Sequence, residues 1–262
     1  MHTFYKIITT IGIVATLGSI VFIGREIPAA AQSDHPMRME VPHKNMGSRG
    51  TPPGEFRSLT SDERQALQFY NQGIEKLAEN NYKGAIAAFT QVLKLTPDYD
   101  MAYYNRGNAH RELGAYQAAI ADYSKALETN PTFTYLLYNR GNLRESLGDI
   151  KGAIEDYTAA IESYPEEGRG YSDRGAARYK LGDIQAAMED LNAAIRINPG
   201  YAGGYANRAN VYAKLGKRQA AIADYQKAQA LYQEQGIIGK YLKITLAMKE
   251  IQQLTNSTVS TK

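Results

Sequence analysis

Five side chains that can ligate a soft metal, His35, Met37, Met39, His43 and Met46, fall within twelve residues of one another. Thioether and imidazole ligands suit copper outside the cytoplasm, so metal handling is one reading of this segment. The other is a polar linker that carries its methionines without using them. A second set is charged and periodic. Arg106, Arg140, Arg174 and Arg208 each precede an aspartate, Asp122, Asp156, Asp190 and Asp224, by sixteen residues. A third set consists of amides and phenols with one carboxylate: Tyr70, Asn71, Tyr104, Asn105, Asn108, Tyr138, Asn139, Asn142, Asp173, Asn207 and Asn210. Amides beside tyrosines can hydrogen-bond an extended peptide backbone while offering it flat apolar contacts. Catalysis would require convergent acids, bases or nucleophiles. The carboxylates are spread along the chain instead, and His110 stands as the single histidine after residue 43. The expectation is a protein that is not an enzyme and needs no cofactor.

Composition narrows the classes further. The 262 residues are 44% hydrophobic, enough for a sizeable core. There is no Cys, which removes disulfides, thiolate metal sites and cysteine nucleophiles. Residues 66–233 hold 19 Lys and Arg against 19 Asp and Glu, so the main body is neutral and the net +3 lies toward the ends. Nucleic-acid binding needs clustered cations to displace condensed counterions, and no such cluster exists here. The expected partner is a protein or peptide, not a nucleic acid.

At the N-terminus, the 17-residue apolar run Ile7 to Ile23 follows Lys6 and leads to Ala29-Ala30-Ala31. A positive start, an apolar stretch and an Ala-x-Ala end predict a signal peptide over 1–31, with an uncleaved membrane anchor as the alternative. Both place the remainder outside the cytoplasm: periplasmic, lumenal or secreted, or held at the membrane by this segment alone. Residues 32–60 are rich in Pro and Gly with no apolar period, which predicts a flexible linker.

The elements that must position the periodic residues emerge from the spacing of the prolines. Pro97, Pro131, Pro165 and Pro199 are 34 residues apart. Units of that length, 66–99, 100–133, 134–167, 168–201 and 202–235, place Gly73, Gly107, Gly141, Gly175 and Ala209 at the eighth position. The twentieth position is Ala85, Ala119, Ala153, Ala187 and Ala221, and the twenty-fourth is Phe89, Tyr123, Tyr157, Leu191 and Tyr225. The twenty-seventh is Val92, Ala126, Ala160, Ala194 and Ala228. A period of this length marks a stacked array. Small residues at fixed points allow two helices to approach closely while the large ones fill the space beside them. Gly114, Gly148, Gly182 and Gly216 fall between the helices of a unit, where a left-handed terminus favours Gly; the first unit has Asn80-Asn81 there. In the last unit Gln233 replaces the proline, so its second helix is expected to run on.

This pattern resembles the tetratricopeptide repeat family, of the kind found in exported bacterial proteins. The resemblance implies an all-α, right-handed superhelical solenoid of antiparallel helix pairs, five repeats over 61–234. Ile237, Tyr241, Ile244, Met248 and Ile251 recur at helical spacing and predict a capping helix over about 237–254 within 236–255, or alternatively a partner-binding helix. Residues 256–262 are expected to be a disordered tail. The resemblance also implies that the second, fifth, sixth and ninth positions of the first helices line a concave groove, which makes the Tyr/Asn/Asp set the candidate protein-binding site, denser in units one to three. Family members that clamp a C-terminal carboxylate place lysine at the fifth position; tyrosine stands there in the first three units, so that function is not supported. Arg111 and Arg169 are possible anion contacts. The seventh position, usually apolar in the family, is Arg in four units, paired with Asp at the twenty-third. Unit one lacks both, having Gln72 and Ala88. The Arg–Asp pairs are therefore expected to be structural. If partly exposed, each contributes on the order of 1 kcal/mol or less, and loss of the Asp156 charge would destabilise only slightly. The expected function is an extracytoplasmic interaction scaffold, with a membrane-tethered assembly factor or copper handling through the linker as alternatives.

Overall fold

The structure, a computed structural model, describes residues 59–259; the N-terminal apolar run and the His/Met segment lie outside them. The described residues form helices and connections, with no strand among them. They make five hairpins and a final helix: α1 Ser61–Ala78, α2 Tyr82–Leu95, α3 Asp100–Glu112, α4 Tyr116–Thr129, α5 Thr134–Ser146, α6 Ile150–Ser163, α7 Gly168–Lys180, α8 Ile184–Ile197, α9 Ala202–Lys214, α10 Arg218–Glu234 and α11 Ile238–Val259. Each helix packs on the one before it, so the chain is an all-α solenoid of consecutive helix pairs. No helix of the described residues is long and apolar enough to cross a membrane.

Local chemistry sets where each helix starts and stops. Thr60 opens α1 through a reciprocal cap: its side chain accepts from the Glu63 N–H, and the Glu63 carboxylate accepts from the Thr60 N–H. Between the helices of the third hairpin, Gly148 adopts φ +87°. Its N–H donates to the Glu145 carbonyl and the next N–H, of Asp149, reaches back to Arg144, so two carbonyls left over at the helix end are satisfied. Asn80 plays the same part in the first hairpin, at φ +57°. Pro97 stands two residues past the end of α2 in the four-residue connection to α3. With Gln233 at the corresponding place, α10 runs 17 residues where α2, α4, α6 and α8 each run 14.

The core follows the repeat. The alanines at the twentieth and twenty-seventh positions are fully buried, and so are Phe89, Tyr123, Tyr157 and Leu191. Close approach explains the glycine at the eighth position. A Cβ added to Gly141 would lie 2.7 Å from a ring carbon of Tyr157, inside contact distance. In α11, Ile244 and Ile251 are buried, and Tyr241, Met248 and Ile237, just before the helix, pack with them against α9 and α10. The helix differs from the sequence expectation in its end. It continues to Val259, beyond the segment 237–254 and into the stretch 256–262 expected to be a tail. Thr255 to Val259 contain neither Gly nor Pro, so nothing in the sequence terminates it.

Candidate functional site

The periodic charges come together first. Arg106 grips Asp122 with Nε and a terminal nitrogen at 2.9 and 2.7 Å. Arg174 holds Asp190 at 2.9 and 2.8 Å, and Arg208 holds Asp224 at 2.7 and 2.9 Å. Arg140 holds Asp156 in the same way, at 3.1 and 2.5 Å. The remaining terminal nitrogen of each arginine reaches the second helix of the preceding hairpin: Thr90, Ser124, Thr158 and Asn192 Oδ1 accept in turn. Each arginine thus ties its own hairpin to its predecessor. Among the described residues no hairpin precedes unit one, and Gln72 stands in the arginine's place there.

These pairs lie deeper than the sequence suggested. Asp156 is 2% exposed, and a second cation, Arg144, reaches it at 3.0 Å. Arg178 does the same for Asp190 at 2.8 Å, and His110 stands 3.9 Å from Asp122. Burial raises the Asp156 carboxyl pKa, with Arg140 and Arg144 opposing the rise. The hydrogen bonds they donate to the aspartates raise the guanidinium pKa values of Arg106, Arg174 and Arg208. The expectation of on the order of 1 kcal/mol per pair belongs to exposed pairs and does not fit this burial.

The Tyr/Asn/Asp set divides. Tyr70, Asn105, Asn108, Tyr138 and Asn139 are buried. The Asn105 amide donates to Tyr70 Oη at 2.9 Å and to the Met101 carbonyl at 3.0 Å, joining the sixth position of one unit to the fifth of the unit before. Asn207 repeats this toward Ser172 Oγ at 3.1 Å. Asn139 Nδ2 is buried without a hydrogen-bond partner among the described residues. At the ninth position, Asn108 and Asn142 each accept from the twenty-fourth-position tyrosine, Tyr123 and Tyr157, at 2.7 Å, and Asn210 accepts from Tyr225. Tyr104 is half-buried against Phe133 and Tyr135, and Asn71 is exposed at the first hairpin.

Four members of the set line one open cavity. Asn142, Asp173, Asn207 and Asn210 surround about 380 Å³ between hairpins three to five and α11, with Tyr225 and Ala206 beside them. Four cations, Arg169, Lys180, Lys240 and Lys243, face two carboxylates there, Glu145 and Asp173. Arg169 lies over the Tyr138 ring at 4.4 Å and bonds Asp173 at 3.3 Å. The Tyr138 hydroxyl donates to Glu167 at 3.0 Å. A second hollow of about 700 Å³ opens between the connections after α6 and α8 and shares Arg169 and Tyr201 with the first. The first cavity lies toward the C-terminal half, over units three to five. There the fifth-position side chains shrink to Ser172 and Ala206, while Tyr70 and Tyr138 fill the corresponding space earlier in the stack.

Burial pushes the Asp173 carboxyl up to about 6, with Arg169 opposing the rise and Glu145 adding to it. Because this pKa is raised on folding, the group's contribution to stability is full below the unfolded value of about 4 and is lost as pH rises through about 6. Asp173→Asn is expected to flatten the pH dependence of melting between pH 4 and 7, by on the order of 1–2 kcal/mol after allowing for partial exposure. Melting curves across that range check it, and an unchanged profile would rule it out.

Residues 70–132 and 138–202 match a tetratricopeptide repeat family model, and 202–235 match a second of the same description. No curated protein matches the chain. Among solved structures, the crystal structure of MamA protein is 22% identical with a TM-score of 0.59, covering 66% of this chain and 94% of that one. YrrB, described as a TPR protein with an unusual peptide-binding site, is 22% identical with a TM-score of 0.57, covering 71% and 92%. TTC0263, a thermophilic TPR protein in Thermus thermophilus, is 18% identical with a TM-score of 0.52, covering 72% and 99%. At these identities the likeness is one of fold.

Proposed function

The chain belongs to the tetratricopeptide repeat family, and on that premise we propose that it is a non-catalytic scaffold that holds a segment of a partner protein in its concave groove. The observation that carries this reading is the cavity between hairpins three to five and α11. Amide groups, tyrosine rings and an excess of cations meet there on an open surface, a combination suited to an extended segment with acidic side chains. The solved YrrB structure, described as having a peptide-binding site, supports a peptide as the kind of ligand. An exported location rests on the apolar run Ile7 to Ile23 and the Ala-x-Ala that follows it. N-terminal sequencing of the protein from its native cells separates the forms: a start at Gln32 means a released scaffold, and a retained N-terminus means a membrane-tethered one.

The groove is tested by cross-linked co-purification from native membrane and soluble fractions. A partner should be enriched with the wild-type chain. Lys243→Glu, an exposed change on the cavity rim, should weaken its binding about fivefold or more with an unchanged melting curve, as expected for roughly 1 kcal/mol of lost rim charge. Absence of any enriched partner would sink the scaffold reading, and undiminished binding by the variant would move the site elsewhere on the array.

A further inference from the structure

The last helix presents an apolar stripe that no part of the described chain covers. Ile238, Leu242 and Leu246 are 70%, 59% and 59% exposed, and their spacing of four places them in one row along α11. The opposite side of the helix carries Tyr241, Ile244, Met248 and Ile251 into the core it shares with α9 and α10. The helix is thus apolar on two faces, whereas a terminal cap needs only one. Its position explains the bare face. Each of α3, α5, α7 and α9 packs between the second helix of the preceding hairpin and the second helix of its own. The final helix packs on α10, and among the described residues no helix follows it.

We propose that this stripe is a homodimer interface, in which α11 of a second copy lies antiparallel against it and completes the missing hairpin. The row is self-complementary. A two-fold axis at Leu242 sets Leu242 on its own counterpart and Ile238 on Leu246, so one patch serves both subunits. Gly239 borders the row with open space where a Cβ would stand, which lets the second helix come close. The placement of charge favours a protein face over an anionic lipid surface. Lys240 and Lys243 turn to the groove cavity, and Lys240 lies over the Tyr232 ring. Lys249 stands at the far end of the row with Glu250 beside it, so the stripe has no flanking belt of cations of the kind an interfacial helix uses. The interface is distinct from the groove, so partner and second copy do not compete for the same residues.

The chain has no cysteine, which makes disulfide cross-linking of the full-length protein a direct test. Leu242→Cys should form a covalent dimer on mild oxidation, well above the Lys83→Cys control at the other end of the array. A mixture of Ile238→Cys and Leu246→Cys should cross-link several-fold more than either alone, the signature of antiparallel pairing. In sedimentation, the wild-type chain should associate at concentrations on the order of tens of micromolar, as a small interface does. Leu242→Glu should weaken that association at least about tenfold without lowering the melting temperature, since the side chain is exposed. Cross-linking no greater than the control overturns the proposal, as does association indifferent to Leu242→Glu. Stronger cross-linking of Ile238→Cys alone than of the mixture overturns the antiparallel register. A monomer that instead pellets with phosphatidylserine vesicles, and loses this in Leu242→Glu, overturns it in favour of a lipid surface.

Discussion

Asp156→Ala is expected to lower the free energy of unfolding by about 2–4 kcal/mol, measured by urea denaturation, several times what an exposed ion pair contributes. The carboxylate is 2% exposed and receives three arginine nitrogens, two from Arg140 and one from Arg144. Its removal leaves two guanidinium groups facing each other across a vacated buried site, with the third bond of Arg140 still drawing on Ser124 of the preceding hairpin. The cost arises from that unpaired charge. Burial raises the Asp156 pKa, so ionisation of this carboxyl is itself somewhat unfavourable in the folded array. The sign follows: its contribution is greatest below the unfolded carboxyl value and falls as pH rises through the folded one. A buried pair can therefore add little net stability and still be costly to break. Replacing Arg140, Asp156 and Arg144 together with apolar residues should cost much less than Asp156→Ala alone. A loss below about 1 kcal/mol for the single variant would return Asp156 to the class of surface pairs.

Much of this architecture is legible in the chain before any coordinates. The 34-residue recurrence of Pro97, Pro131, Pro165 and Pro199 and the glycines between helices specify five hairpins and their turns. The pairing of Arg106 with Asp122 is readable from their joint presence in four units and joint loss in the first. The third bond of each arginine was also within reach, because Thr90, Ser124, Thr158 and Asn192 all offer an oxygen at the twenty-fifth position. Depth was not legible. Residues such as Asn105 and Asn139 sit on the face that a groove would use, but stacking of one unit on the next covers them, and the contact partner of Asn105 lies thirty-five residues away. The open part of the groove depends on where fifth-position side chains become small, at Ser172 and Ala206, and on α11 closing one end. A pattern within one repeat carries neither fact.

The ninth and twenty-fourth positions show how such a dependence can be recovered, and they set the second large expectation. Tyr157→Ala should cost about 3–5 kcal/mol, because the ring is fully buried between α5 and α6 and fills the space against Gly141. The hydroxyl makes a separate contribution. It donates toward Asn142 Oδ1 at 2.7 Å and Glu145 at 2.9 Å, and burial holds its pKa far above that of a free phenol. Tyr157→Phe should therefore cost about 1–2 kcal/mol by leaving the Asn142 oxygen unpaired. The chain itself supplies the compensating change. Where the twenty-fourth residue is Phe89, the ninth is Ile74; where it is Leu191, the ninth is Ala176; where it is tyrosine, the ninth is asparagine. Asn142→Ile alone should also destabilise, by depriving the hydroxyl of an acceptor. Joined with Tyr157→Phe it recreates the first unit's pair, so the double variant should lie within about 1 kcal/mol of wild type, a coupling of about 1–2 kcal/mol. Simple addition of the two single losses would mean that Asn142 is not held for Tyr157. The ninth-position amides would then again be groove residues first.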